Sequence, residues 1–273
     1  MKHIQKANHS YLFVPANRVE RFEKALNTGA DSIIVDLEDA VPIELKTSSR
    51  HALKEWLITH PEDKFMIRVN SRNTKWFAED IELAKLDNVS AIILPKTETP
   101  EDIEAILSIQ DIEIFALIET PLGFANIRQI AKTKSVRALM FGSIDFQLEM
   151  NMQGGYEELL SFRNEFVLAS KLAGIEPPID GVTVDFKDEA LIEHETQQAK
   201  NLGFTGKLCI HPNQVKIVNK VFSPTEDEIN WANKVLKVVD EAKGQAVSLD
   251  GKMIDLPIIL RAKKIIQQIA PSQ

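Results

Sequence analysis

A chain of 273 residues, 44% hydrophobic and 26% charged, is long enough to bury one sizeable α/β core and too long for a minidomain. Its formal net charge of −8 excludes a nucleic-acid backbone or an anionic membrane as a general partner, while leaving room for a local basic patch that takes a phosphorylated ligand. The single cysteine, Cys209, excludes an intrachain disulfide and suits a reducing compartment. No apolar run approaches the roughly 20 residues that cross a bilayer. The opening MKHIQKANHSYLFVPANR carries no secretory-type apolar stretch, so the expectation is a soluble, cytoplasmic protein.

In chain order, the first apolar run is YLFVP (11–15). Arg21–Leu26, followed by Asn27, Thr28 and Gly29, reads as a helix with a glycine stop. SIIVDLE (32–38), KFMIRVN (64–70) and AIILPK (91–96) come next. A helix is predicted over Pro100–Ile109, with Thr99 as N-cap and Glu101 and Asp102 in the first turn, where the macrodipole favours acids. EIFALIET (113–120) and VRALMFGS (136–143) precede the amphipathic stretch Tyr156–Ala173, which ends at Gly174. IDGVTV (179–184), a helix over Asp188–Leu202 stopped by Gly203, and KLCIHP (207–212) complete the pattern.

Each apolar run is nearly continuous rather than alternating, as in strands buried on both faces of a parallel sheet. Strands alternating with helices either close into a barrel or form an open doubly wound sheet. Eight is the closing number, and no glycine-rich dinucleotide fingerprint follows the first strand. The expected fold is therefore a (β/α)₈ TIM barrel over residues 1–221. Residues 222–273 break the pattern: a helix over Thr225–Ala242, a polar turn around Asp250–Gly251 and a last helix over Pro257–Ile269. They form a small helical C-terminal appendage, suited to capping an active site or reaching a neighbouring subunit.

Barrel enzymes place their chemistry at the C-terminal ends of the strands. Those positions hold Asp36, Glu38 and Asp39, then Arg68 and Asn70, Lys96, Glu119, Asp145, and finally His211 and Asn213. Several carboxylates on one mouth raise each other's pKa unless a counter-charge is present. A hard divalent cation with oxygen ligands answers that need, and Mg²⁺ is typically held by one or two carboxylates plus water and substrate. No Cys or His cluster stands at ligand spacing, which disfavours zinc or an iron–sulfur centre.

The segments SYLFVPANR, SIIVDLEDAV, IRVN, ILPKTE, IETPLG, FGSIDF and GKLCIHPNQV, in that order, resemble the signature segments of the citrate lyase β-subunit-like family, which includes malyl-CoA and citramalyl-CoA lyases. The resemblance runs from Ser10 to about Val215, with an echo at GKMIDLP (251–257). It implies Mg²⁺-dependent retro-Claisen cleavage of a 3-hydroxyacyl coenzyme A thioester to acetyl-CoA and a 2-oxo acid such as glyoxylate or pyruvate. It further implies a homotrimer, or a hexamer of two trimers.

The resemblance also implies roles, each beside a plainer one. Glu119 and Asp145 match the metal ligands; otherwise they are strand-end acids in caps or ion pairs. Arg68 matches the active-site arginine, whose planar fork binds a carboxylate or enolate oxygen; otherwise it pairs with Asp36, Glu38 or Asp39, and both can hold. Glu38 and Asp39 match an acidic pair expected to contact metal-bound waters and Arg68. Phe13, Pro15 and Arg18 belong to the coenzyme A side, with Arg18 facing phosphates or the substrate carboxylate, and Lys24 is a solvated helix residue. Asp255 resembles an acid–base aspartate that relatives often supply from a neighbouring subunit; otherwise it caps the final helix before Pro257. His211 and Cys209 read as pocket wall and core. Val19 replaces a proline common in relatives, and Ile144 replaces an acid before Asp145, which bears on substrate choice rather than metal binding. Three rival readings stay open: a class II aldolase on a free 2-oxo-4-hydroxy acid, the β subunit of a citrate lyase complex acting on a carrier-protein citryl thioester, and a barrel that only binds.

Overall fold

Eight parallel strands close on themselves in chain order: β1 (Ser10–Pro15), β2 (Ser32–Asp36), β3 (Phe65–Arg68), β4 (Val89–Leu94), β5 (Ile114–Ile118), β6 (Val136–Phe141), β7 (Ile179–Asp180) and β8 (Gly206–Cys209). The computed structural model describes residues 8–242, 247–249 and 252–269. The described residues divide into two compact units, one spanning Asn8–Lys220 and the other running from Val221 to Ile269. Among the described residues, no helix is long and apolar enough to cross a membrane.

The barrel forms because its strands are apolar on both faces. Tyr11, Ile34, Met66, Ile93, Phe115, Leu117, Met140 and Leu208 belong to one buried cluster that also holds Ala91, Ala138 and Ile179. The other set, including Leu12, Ile33, Val35, Ile67, Ile92, Ala116 and Leu139, is equally buried and faces the surrounding helices. Burying a large aliphatic or aromatic side chain contributes on the order of 1.5–3 kcal/mol, so the two layers supply most of the drive to close. Cys209 is part of this core, and burial pushes its thiol up to about 12, as expected of an inert packing residue.

All eight strands lie where the apolar runs put them, but β7 is only two residues long. A Cβ on the next residue, Gly181, would stand 2.4 Å from Ser143 Oγ and 2.8 Å from the Phe141 carbonyl, so the chain presses against β6 at that point. The predicted helices appear as Phe22–Leu26, Pro100–Leu107, Leu160–Ala173 and Glu189–Leu202. Thr99 and Asp102 form a capping box, and Gly174 and Gly203 are left-handed C-caps. Lys46–Thr59, Ser143–Glu149 and Pro212–Phe222 are helices that sequence reading did not single out.

In the second unit the helix Glu226–Glu241 opens with a Thr225–Glu228 capping box. It packs on the helix Leu256–Ile269 through Ala232, Val235, Ala262 and Ile265. The appendage is not purely helical: β9 (Val247–Leu249) and β10 (Lys252–Ile254) pair antiparallel. The expected turn at Asp250–Gly251 lies outside the described residues.

Candidate active site

The site is assembled from strand ends. Asp36 closes β2 and is the register partner of Arg68, which closes β3. The two make a forked ion pair, Arg68 Nε donating to Asp36 Oδ1 at 2.8 Å and Nη2 to Oδ2 at 2.6 Å. The Asp36 oxygens also accept from the backbone N–H of Glu38 (2.8 Å) and of Ala40 (3.0 Å), which folds the chain back over the strand end. Burial works against the Asp36 charge, but Arg68 and these hydrogen bonds hold its carboxyl below the ordinary value. Arg68 lies 4.7 Å over the Phe13 ring. Its remaining amino group, Nη1, stands 3.3 Å from Glu38 and 3.9 Å from Asp39. Lys46 donates to the carbonyls of Leu37 (3.0 Å) and Glu38 (2.9 Å), pinning this turn from below.

Across β4 to β6 the arrangement differs. Lys96, just beyond β4, has a left-handed backbone with φ of 48°. Its N–H donates to Glu119 Oε1 at 2.8 Å, and its ammonium reaches Glu38 Oε1 at 3.1 Å. Glu119 follows β5 directly and is 2% exposed. Its other oxygen lies against Gly142, where a Cβ would come within 2.6 Å of Oε2; only glycine fits there. Asp145 sits in the first turn of the helix Ser143–Glu149.

A cavity of about 390 Å³ opens between these groups. Arg68, Glu119, Asp36, Asp39, Ser143 and Asp145 line it, whereas β7, β8 and β1 contribute only apolar side chains: Val182, Leu208, Ile210, Phe13 and Pro15. Glu38 and Lys96 stand behind the lining. Its electrostatics are unbalanced. Burial, with Glu38 and Asp145 adding repulsion against the pull of Arg68 and Lys96, pushes Glu119 up to about 8. Glu38 is raised as well, first by burial, with Asp39 and Asp36 adding to it. Glu38 Oε2 is buried and accepts no hydrogen bond, although Arg68 Nη1 is near.

Most of the expected site residues therefore meet: Phe13, Pro15, Arg68, Asp39, Glu119 and Asp145 line one cavity and Glu38 backs it. Ile144 lines it too and is 46% exposed. Arg18 is not among the lining residues; it is half exposed and faces Glu20 at 3.7 Å. His211 stacks on Phe186 at 4.4 Å beside the cavity wall. Asp255 belongs to the second unit, where Oδ1 accepts from the Ile258 N–H at 3.2 Å, the capping role that Pro257 suggested. Sequence reading placed Lys96 only as a strand end and overlooked Lys46. The signal for Lys96 was weak, because nothing local requires a lysine to adopt φ above zero.

Residues 9–212 match the family model for HpcH/HpaI aldolase/citrate lyase, and residues 160–269 match a model for TIM-barrel carbon–carbon bond lyases. The citrate lyase subunit beta of Leuconostoc mesenteroides subsp. cremoris is 32% identical, over 96% of this chain and 93% of its own length. A (3S)-malyl-CoA thioesterase of Cereibacter sphaeroides is 33% identical, over 97% and 96%. Among solved structures, CitE of Mycobacterium tuberculosis in complex with magnesium, acetoacetate and coenzyme A superposes with a TM-score of 0.84 at 28% identity, covering 97% of this chain and 99% of that one. With three quarters of its length inside the family model and a closed barrel carrying acids at its strand ends, the chain belongs to the HpcH/HpaI aldolase/citrate lyase family and is a carbon–carbon lyase.

Proposed function

We propose that this protein cleaves a 3-hydroxyacyl coenzyme A thioester of the malyl-CoA or citramalyl-CoA type to acetyl-CoA and a 2-oxo acid, with Mg²⁺ bound by Glu119 and Asp145. The observation that carries this reading is the charge deficit of the cavity, where Glu119 rises to about 8 because burial and neighbouring acids outweigh two cations. A divalent cation would remove that deficit. The donor type fits, since Glu119 and Asp145 offer hard carboxylate oxygens to one cavity; among the described residues no group of three or more His, Cys, Asp or Glu could hold a metal ion by itself, so water and substrate would have to complete the shell. Two protein carboxylates, with water and substrate oxygens completing the shell, is how Mg²⁺ is usually held. The crystallised relative that holds magnesium, acetoacetate and coenzyme A supports magnesium as the metal.

Bound there, Mg²⁺ supplies a Lewis acid for the oxygens of the 2-oxo acid as it forms. The protein does the rest. The Arg68 fork is committed to Asp36, so Arg68 presents Nη1 to the substrate, and the ion pair keeps that group from turning. Glu38 and Asp39 hold the Arg68 edge in register. In cleavage the bond between C2 and C3 of the acyl chain breaks as the C3 hydroxyl passes its proton to a water molecule and becomes the carbonyl of the 2-oxo acid. The electron pair passes to the thioester α-carbon, which takes up a proton. Asp255 is the proposed proton donor; in the second unit its Oδ1 accepts from the Ile258 N–H. The apolar side of Phe13, Val182 and Ile210 excludes water from the enolate. The thioester arm leaves across the β1 and β8 rim, with Arg18 for its phosphates. A homotrimeric or hexameric assembly in the cytoplasm completes the proposal, and light scattering on the purified protein tests the oligomer.

The test incubates protein and Mg²⁺ with malyl-CoA, citramalyl-CoA and 3-hydroxy-3-methylglutaryl-CoA, following acetyl-CoA, free coenzyme A and the 2-oxo acid separately. Acetyl-CoA and oxo acid in equal amounts, abolished by a chelator and by Glu119→Gln with Asp145→Asn, are the expected outcome. Free coenzyme A with intact hydroxy acid would show thioester hydrolysis instead, the activity named for the Cereibacter relative. No turnover of any thioester with Mg²⁺ bound would shift the assignment to a free-acid aldolase or a carrier-protein citryl lyase.

A further inference from the structure

We propose that Lys96 is a positioning residue whose left-handed backbone, rather than its charge, aims the carboxylate of Glu119 for the metal. Three non-glycine residues among those described have positive φ: Lys96, Ser135 and Asn151. Asn151 is a residue type that tolerates this region, and Ser135 lies at the start of β6 with its hydroxyl on Asp111 at 2.9 Å. Lys96 alone is a long side chain held there at the catalytic end of a strand, a conformation that costs energy unless its surroundings impose it. The consequence is visible one strand away. A residue continuing β4 in extended form would turn its N–H along the ladder, whereas Lys96 turns its N–H to Glu119 Oε1 at 2.8 Å.

The clamp on Glu119 is two-sided. Oε1 is tied by the Lys96 amide and Oε2 abuts the bare α-carbon of Gly142, so the carboxylate plane is set before any cation arrives. The next residue locks the turn: Thr97 Oγ1 donates to the Leu94 carbonyl at 2.7 Å, and the Thr97 N–H reaches the Leu117 carbonyl at 3.3 Å. The Thr97 carbonyl in turn lies where a Cβ on Gly123 would stand 2.4 Å away, which fixes the turn from the far side. Lys96 does not line the cavity, so it acts through Glu119 and Glu38. Its ammonium, on Glu38, is a cation beside a cation site and by Coulomb's law opposes metal binding. Backbone and side chain therefore have opposite signs of effect, and substitutions can separate them.

The inference rests on Glu119 being a metal ligand, and the experiment keeps the two ideas apart. Mg²⁺ affinity is measured by calorimetry on the intact chain without substrate, with Mn²⁺ electron paramagnetic resonance as a second readout. Lys96→Gly and Lys96→Asn keep the N–H in a conformation those residues accept, and should bind Mg²⁺ as tightly as the parent or up to tenfold tighter. Lys96→Val, β-branched and strongly averse to positive φ, should bind at least tenfold more weakly, with Lys96→Ala between and available should the valine variant not fold. Lys96→Arg, with the same charge and the same aversion to positive φ as lysine, should match the parent. An order following charge instead, with Gly and Asn as weak as Val, would overturn the inference while leaving the metal site intact. A parent chain that binds neither ion would overturn both.

Discussion

Two charged clusters stand on the same barrel, built by the same local device and left in opposite states. At β7 and β8, Asp180 and Lys207 are register partners, as Asp36 and Arg68 are at β2 and β3. Asp180 accepts from Arg163 Nε at 2.8 Å and from Lys207 Nζ at 3.2 Å, and Lys207 also reaches the Gly181 carbonyl at 2.8 Å and Glu195 at 3.9 Å. Two cations meet two acids, all but Glu195 are nearly inaccessible, and the Arg163 guanidinium stacks 3.7 Å over Tyr156. Despite complete burial, Lys207 and Arg163 hold the Asp180 carboxyl below its ordinary value. At the mouth of the cavity, Asp36, Glu38, Asp39, Glu119 and Asp145 share Arg68 and Lys96, and Glu119 and Glu38 are pushed upward. A cluster that closes its own charge is scaffold. One that leaves charge uncompensated around a cavity is prepared for a ligand.

The largest expected contrast is in stability. Asp180→Asn should cost roughly 3–5 kcal/mol, because it strands two buried cations, and urea unfolding at neutral pH measures it. A near-neutral result would remove the distinction between the clusters.

Next in size is Arg68→Lys, which loses the fork on Asp36 and the stack on Phe13. It should lower kcat/KM on the order of 10²-fold, about 2.7 kcal/mol, with Mg²⁺ affinity little changed. Steady-state kinetics beside calorimetry would show it, and an unchanged kcat/KM would make Arg68 purely structural.

Glu119→Gln should stabilise the metal-free protein by on the order of 1–3 kcal/mol at neutral pH while abolishing metal-dependent turnover. A loss of stability would mean that the mouth is as balanced as the Asp180 cluster.

The finest contrast is in pH. Below its ordinary value of 4.5, Glu119 is protonated in both folded and unfolded chains; between 4.5 and about 8 only the unfolded chain releases the proton. Metal-free stability attributable to Glu119 therefore falls as pH rises across that window. Asp180 has the opposite sign: its contribution is full above 3.8 and is lost as pH falls below that value toward its depressed folded pKa. Urea midpoints against pH in a chelator should slope oppositely in the two windows, and each slope should shrink in Glu119→Gln or Asp180→Asn respectively, Glu38 retaining part of the first.

Much of this was legible without coordinates, because the strands are buried on both faces and read as continuous apolar runs. The acids and Arg68 follow those runs at once, so their convergence is a consequence of barrel closure and needed no further information. The helices that escaped notice, Lys46–Thr59 among them, have one buried stripe of Ser49, Leu53 and Leu57 diluted by polar residues, a weak periodic signal. The antiparallel pair of β9 and β10 is three residues a side, too short for alternation to register.

The sequence by itself determined the closed barrel and the acid-rich strand ends, because periodicity and chain order suffice to place residues at one mouth; that Glu119 and Asp145 are the candidate ligands among those acids came from the family resemblance. Only the tertiary structure decided which charges cancel. Arg68 forks onto Asp36, Arg18 faces Glu20 and is not among the cavity lining, and Lys96 turns its backbone to Glu119. Those outcomes depend on distances of a few ångströms between residues remote in the chain, and local propensity carries no term for them.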